Sequence, residues 1–184
     1  TDVPAILQNM ESVYKYCGSD NFTVTDSSII LKNNFLKMDL GGIAKGYAID
    51  MAGELLRKNN IQSAIINAGG DVLTIGAKNF RNEWNVAVQH PEKPDEYLKI
   101  LKMKNSAVAT SGNYQRFVTF DNKRYNHIFN PKTGENTEYF KSVSVEAATA
   151  MQADALATAI FASEDNYKFL NDKIKKKCNH SFHS

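Results

Sequence analysis

Asp39-Leu40-Gly41-Gly42-Ile43-Ala44-Lys45-Gly46-Tyr47-Ala48-Ile49-Asp50 joins a glycine-rich turn to the start of a helix. From Ile43 to Lys58 the apolar residues Ala44, Ala48, Met51, Ala52 and Leu55 recur at helical spacing, and Asn59-Asn60 closes the run. A helix start without bulky side chains presents unpaired N–H groups and the positive end of the helix dipole, and Lys45 adds a cation, so the segment suits phosphate. It is not a Walker A loop, because Lys45 precedes Gly46 instead of following it and no Ser or Thr stands in the required place. A glycine-rich helix start packed tightly on a sheet accounts for the same residues.

Outward from this turn, strands and helices are mixed. Upstream, Ile6, Leu7, Met10, Val13 and Tyr14 predict a helix over Val3 to Tyr16, and Phe22 to Val24 with Ile29 to Leu31 predict a hairpin around Thr25-Asp26-Ser27-Ser28. Downstream, strands are expected at Ser63 to Ile66 and Val72 to Ile75, separated by Asn67-Ala68-Gly69-Gly70-Asp71. More strands are expected at Trp84 to Val88, Leu98 to Met103, Ala107 to Thr110, Phe117 to Phe120, Arg124 to Phe129 and Ser142 to Val145. Two helices close the chain, at Ala147 to Phe161 and at Glu164 to Lys176, the latter with Ser163 as N-cap. This order is that of an α+β fold, without repeats or a flexible linker.

With 184 residues and 42% hydrophobic, the chain can bury a core of its own, which excludes disorder as its main state. Its 22 Lys and Arg against 20 Asp and Glu leave a charge of +2, evenly mixed, which is no footprint for nucleic acid. The longest apolar stretch, Ala155 to Ala162, falls short of the roughly 18 residues that a membrane span needs. Cys17 and Cys178 lack the spacing of a zinc knuckle or a redox pair. No charged stretch followed by an apolar run stands at the start, so the residues shown contain no secretory signal, and the opening Thr-Asp-Val-Pro-Ala reads as if cut from something longer.

Three further segments carry candidate chemistry. Asp154 and Thr158 are i and i+4 on the alanine-rich helix, so a carboxylate and a hydroxyl point to one place. An ionised Asp among small apolar residues needs a partner, and two hard oxygens suit Mg2+, although an arginine or a backbone N–H would satisfy it as well. His127, late in the strand of Tyr125-Asn126-His127-Ile128-Phe129-Asn130-Pro131, is a candidate general base or a structural histidine. Thr110-Ser111-Gly112-Asn113-Tyr114-Gln115-Arg116 is a polar break between strands that offers contacts to a nucleotide, or an ordinary turn.

Taken together and in order, DLGGIAKGYAID, INAGGDV, ATSGNYQRF, YNHIFNPKTGE and SVSVEAATAMQADALATAIF resemble the ApbE family of flavin transferases, once named thiamine-biosynthesis lipoproteins. The likeness runs from about Ala5 to Phe169 and corresponds to the later part of a family member. It implies a single domain over 1–184 that lacks the family's N-terminal segment. The implied architecture is T-fold-like, with mixed or antiparallel sheets packed with helices. The implied reaction is Mg2+-dependent transfer of FMN from FAD to a Thr or Ser hydroxyl of an acceptor protein, with release of AMP.

By the same resemblance, Asp154, Thr158 and the carbonyl of Ala44 are the metal ligands, and His127 deprotonates the acceptor hydroxyl. Lys45 takes part in catalysis and lies beside the phosphates with Gly41 and Gly42. Asp50, Gly69, Gly70, Asp71, Ser111 and Gly112 match positions around the FAD. The partners implied are FAD and an acceptor flavoprotein subunit with a Thr or Ser flavinylation motif. The location implied is the cell envelope or periplasm, with the cytoplasm as the other option. Self-association is expected to cover sheet surface left open by the absent segment. An Mg2+-dependent FAD pyrophosphatase giving FMN and AMP, and a flavin-binding protein without turnover, are the alternatives.

Overall fold

The computed structural model describes residues 16–34, 36–79, 81–93, 95–113, 117–163 and 179–183. A 3-10 turn, Ser19–Asn21, leads into an antiparallel hairpin of β1 (Phe22–Val24) and β2 (Ile29–Leu31). Helix α1 (Ala44–Lys58) follows, then β3 (Ala64–Ala68), β4 (Asp71–Ile75), β5 (Trp84–Gln89), β6 (Tyr97–Met103) and β7 (Ala107–Gly112). The remaining elements are β8 (Phe117–Phe120), β9 (Lys123–Asn126), β10 (Ser142–Ala147), α2 (Ala150–Ser163) and β11 (Asn179–His183).

Five strands form the main sheet in the order β11-β10-β7-β4-β3, and every neighbouring pair is antiparallel. The fold is α+β, and among the described residues the sheets are antiparallel throughout. Every residue of β4 is buried, as an inner strand covered on both faces requires. Alternation along it sends Leu73 towards the helices, into a cluster with Ile49, Ala107, Ala109, Ala147, Ala150 and Ala153. Val72 goes to the opposite face, where the β5–β6 hairpin supplies Val86 and Met103 and β7 supplies Val108. Burying Leu73 alone contributes about 1.5–3 kcal/mol. The small residues Ala150, Ala153 and Ala157 have no exposed surface, and they let α2 lie close on the sheet and on α1.

Several boundaries differ from the sequence expectation for identifiable reasons. The loop expected at residues 67–71 contracts to Gly69-Gly70, because φ values of 61° and 98° close a two-residue turn and leave Asn67, Ala68 and Asp71 in strands. The polar break expected from Thr110 begins later. Ser111 and Gly112 belong to β7, paired with Val143 and Ser142 of β10. Strand β9 stops at Asn126 instead of reaching Phe129, since the Asn126 side chain accepts the Ile128 N–H at 2.8 Å and bends the backbone out of the ladder. Helix α2 starts at Ala150, three residues later than expected, because β10 keeps its pairing through Ala147. The helices expected at Val3 to Tyr16, apart from Tyr16, and at Glu164 to Lys176 lie outside the described residues, as do Cys178 and Tyr114 to Arg116.

Candidate functional site

The site grows from the meeting of two helix starts. Ile43, at the N-cap of α1, has no side-chain oxygen to offer the first amides of the helix. The missing acceptor comes from α2, where Asp154 Oδ2 accepts the Gly46 N–H at 2.9 Å, across 108 residues of chain. Gly46 also permits the approach itself, because a Cβ there would lie 2.7 Å from the Ala150 carbonyl carbon and 2.7 Å from Met151 Cα. In return, α1 serves α2. Asp50 Oδ1 accepts the Ala150 N–H at 2.8 Å and Oδ2 accepts the Met151 N–H at 2.9 Å. Thr149 Oγ1 takes the Gln152 N–H at 3.2 Å, so the first three amides of α2 are satisfied. Both oxygens of Asp50, a residue matched to the FAD surroundings, are thus engaged by helix amides.

Next to Asp154 lies a second carboxylate. Asp71, 1% exposed at the start of β4, stands 3.0 Å from Lys45 Nζ through Oδ2 and accepts the Thr110 N–H at 3.3 Å through Oδ1. The Lys45 ammonium is thus the charged partner of a buried carboxylate oxygen. Burial pushes the Asp71 carboxyl above its ordinary value; Lys45 and the Thr110 amide pull it down and the nearby Asp154 charge pushes it up. A lysine on the first turn of a glycine-rich helix start is therefore held by a carboxylate at the strand end, with a second carboxylate close by.

The opposite wall is made of oxygens and glycine. Thr158 Oγ1 and Ser111 Oγ are 3.2 Å apart, linking α2 to the end of β7. The turn before α1 passes over them, since a Cβ on Gly42 would come within 3.0 Å of Thr158 Cγ2 and 3.4 Å of its Oγ1. That turn is shaped by Asp39 Oδ1, which accepts the Gly41 N–H at 2.6 Å. Gly112 is buried one residue beyond Ser111. Gly69 and Gly70 form the exposed turn leading into Asp71, with the Gly70 N–H donated to Asn67 Oδ1 at 3.1 Å.

His127 is exposed and follows β9 on a bend instead of lying within a strand. A buried polar clasp that the sequence reading missed holds its loop. Asn126 Nδ2 donates to the Thr137 carbonyl at 2.7 Å, and Asn136 Nδ2 donates to the Asn126 and Ile128 carbonyls at 2.7 and 3.1 Å. Ile128, next in sequence, enters one core cluster with Ala157, the neighbour of Thr158, which anchors the histidine loop against the same helix.

The structure thus brings Gly42, Lys45, Gly46, Asp71, Ser111, Asp154 and Thr158 together at the α1 start. Among the described residues, no three His, Cys, Asp or Glu side chains group as metal ligands. A metal at this place would draw on hydroxyl and carbonyl oxygens besides carboxylate. Such an arrangement, with helix amides, a cation and hard oxygens around a glycine-lined turn, suits a charged phosphate ester.

The sequence profile of the ApbE family matches residues 5–178. Among curated proteins, the FAD:protein FMN transferase of Treponema pallidum is 37% identical over 140 residues, covering 68% of this chain and 38% of that protein. A protein of the same name from Klebsiella pneumoniae is 33% identical, over 74% of this chain and 42% of its own length. The chain therefore spans about two fifths of these relatives. Among solved structures, the ApbE protein of Thermotoga maritima superposes with a TM-score of 0.86 at 34% identity, covering 95% of this chain and 58% of that one. Flavin transferase ApbE of Vibrio cholerae shares the fold, with a TM-score of 0.78 at 23% identity, over all of this chain and 61% of that one.

Proposed function

Since this chain belongs to the ApbE family, we propose that it carries the phosphate and metal site of an FAD:protein FMN transferase. The reaction moves FMN from FAD to a Thr or Ser hydroxyl of an acceptor flavoprotein and releases AMP. The observation that carries this reading is the Gly46 to Asp154 hydrogen bond, which joins a glycine-lined helix start to a carboxylate and hydroxyl on a second helix. A purely structural aspartate would need no lysine and second carboxylate beside it.

The residues fit Mg2+. Asp154 and Thr158 offer hard oxygens, the Ala44 carbonyl is the third protein ligand in this reading, and Gly42 leaves open the space that a Cβ would take beside Thr158. When bound, the ion neutralises charge on the pyrophosphate and orients it. Lys45, with the backbone at Gly41 and Gly42, binds the phosphates from the other side, exchanging its Asp71 partner for theirs. Gly69, Gly70, Asp71, Ser111 and Gly112 line the nucleotide. A ring nitrogen of His127 takes the acceptor hydroxyl proton as that oxygen attacks the phosphorus of the FMN half, and the bond to the AMP phosphate breaks. The exposed position of His127 suits a base that meets a macromolecular acceptor.

We assign the protein to the cell envelope by likeness to its family; among the described residues no helix is long and apolar enough to cross a membrane. Incubation with FAD, Mg2+ and a domain bearing the family's acceptor motif, followed by flavin fluorescence in a denaturing gel, tests the reaction. A covalent fluorescent acceptor band is expected. Free FMN and AMP without a band would make the protein a pyrophosphatase, and intact FAD would make it a binder.

A further inference from the structure

We propose that Asp50 is a positioning residue that sets where the Asp154 carboxylate stands, a role that rests on reading Asp154 as a metal ligand. Gly46 and Asp50 are one turn apart on α1, and Ala150 and Asp154 are one turn apart on α2. Two cross-links close these steps into a four-cornered frame. Asp50 holds Ala150 and Met151 at one end, and Asp154 holds Gly46 at the other. The Asp50 end is the firmer, because one carboxylate accepts from two adjacent amides at the positive end of a helix dipole. With the first turn of α2 fixed there, the direction in which Asp154 leaves the helix one turn later is fixed too. Asparagine in place of Asp50 keeps the shape but offers one acceptor oxygen, and its NH2 would face a helix N–H.

A structural role alone predicts a uniform loss of stability, whereas a positioning role predicts a local one at Gly46. The Gly46 amide lies at the third position of α1, where the helix itself supplies no acceptor, so its protection from hydrogen exchange reports on Asp154 directly. The test compares the chain with Asp50→Asn and with Gly53→Ala. In the second variant, further along α1, the three atoms nearest the added methyl belong to the side chains of Leu73, Arg57 and Ile66, none of them on α2.

Amide exchange is read by NMR on the metal-free chain, and Mg2+ alone is titrated into each protein by calorimetry. In Asp50→Asn, exchange at Gly46 should rise at least about tenfold relative to amides in the middle of α1. Its Mg2+ affinity should fall about 10- to 100-fold, the usual cost of losing support behind a metal ligand. Gly53→Ala should change neither. Unchanged Gly46 exchange in folded Asp50→Asn, or equal changes in Gly53→Ala, overturns the proposal. Should Asp50→Asn prove insoluble, Asp50→Glu, with both acceptor oxygens on a longer arm, takes its place, and parent-like Gly46 exchange there overturns it as well. Absence of Mg2+ binding by the parent chain removes the metal reading and leaves the exchange result to decide on Asp50.

Discussion

Replacing Gly46 by alanine tests the helix contact on which the site stands. The new Cβ would lie 2.7 Å from the Ala150 carbonyl carbon and from Met151 Cα, and closer still to the Ala150 carbonyl oxygen. All three atoms are backbone, so no side chain can rotate away. Ordinary carbon contacts of about 3.5–4 Å return only if the helices part by about 1 Å. Overpacking of this kind costs about 1–3 kcal/mol. Alanine's better helix propensity offsets about 0.5–1 kcal/mol of that. The Gly46 to Asp154 hydrogen bond, 2.9 Å in the parent, stretches at the same time, and a bond to a charged group is worth about 1.5–3 kcal/mol. The net expectation is a loss of about 3 kcal/mol, or about 6–12 °C in Tm for a chain of this size. Urea and thermal unfolding of Gly46→Ala against Gly53→Ala measures it. In Gly53→Ala the nearest atom, at 2.6 Å, is a methyl of the Leu73 side chain rather than backbone, and no hydrogen bond between the helices is stretched, so the loss there should be about 1 kcal/mol. A Gly46→Ala midpoint equal to that of the parent or of Gly53→Ala would refute the reasoning.

Asp154→Ala should abolish Mg2+-dependent turnover and Thr158→Ala should weaken it less; full rates for Asp154→Ala at limiting Mg2+ would reject the metal assignment. His127→Asn should slow FMN transfer by roughly 10²- to 10⁴-fold with FAD affinity nearly unchanged, and an unchanged rate would remove the general-base role. For Asp71, burial raises the folded-state value above the unfolded one, so the folded chain binds the proton more readily and stability falls as pH rises through that interval. Asp71→Asn should therefore unfold at higher urea than the parent near pH 7, with the advantage gone below about pH 4. A variant less stable than the parent at pH 7 would mean that the Lys45 ion pair outweighs the burial of the charge.

Local pattern was enough to find α1 and the β1–β2 hairpin, because periodicity and turn residues act over a few neighbours. Ends decided by distant partners were not legible. Ala147 reads as helix by composition, yet β7 pairs with it, and His127 to Phe129 read as a continuation of the strand, yet the Asn126 side chain ends β9 before them. The pair Asp154 and Thr158 was visible from helical spacing alone. What Asp50 does was not, since its acceptors' targets lie 100 and 101 residues away and nothing near Asp50 marks them. Gly46 carried a signal in retrospect. A glycine inside a helical period is costly unless something must pass close to it.

The exchange of acceptors between α1 and α2 also orders events in time. Gly46 of α1 and Ala150 and Met151 of α2 take their acceptors from the other helix, so each helix start waits for a partner about a hundred residues along the chain. Closing so long a loop must be offset by contacts that form only once it is closed, which makes the step slow and all-or-none. A nascent chain that has passed residue 58 but not residue 154 holds α1 with its glycine-rich start unclasped. The glycine-rich start of α1 and the Asp154–Thr158 face of α2 are therefore joined only after residue 154 has been made, so the candidate site is assembled late whatever the order in which its two halves form.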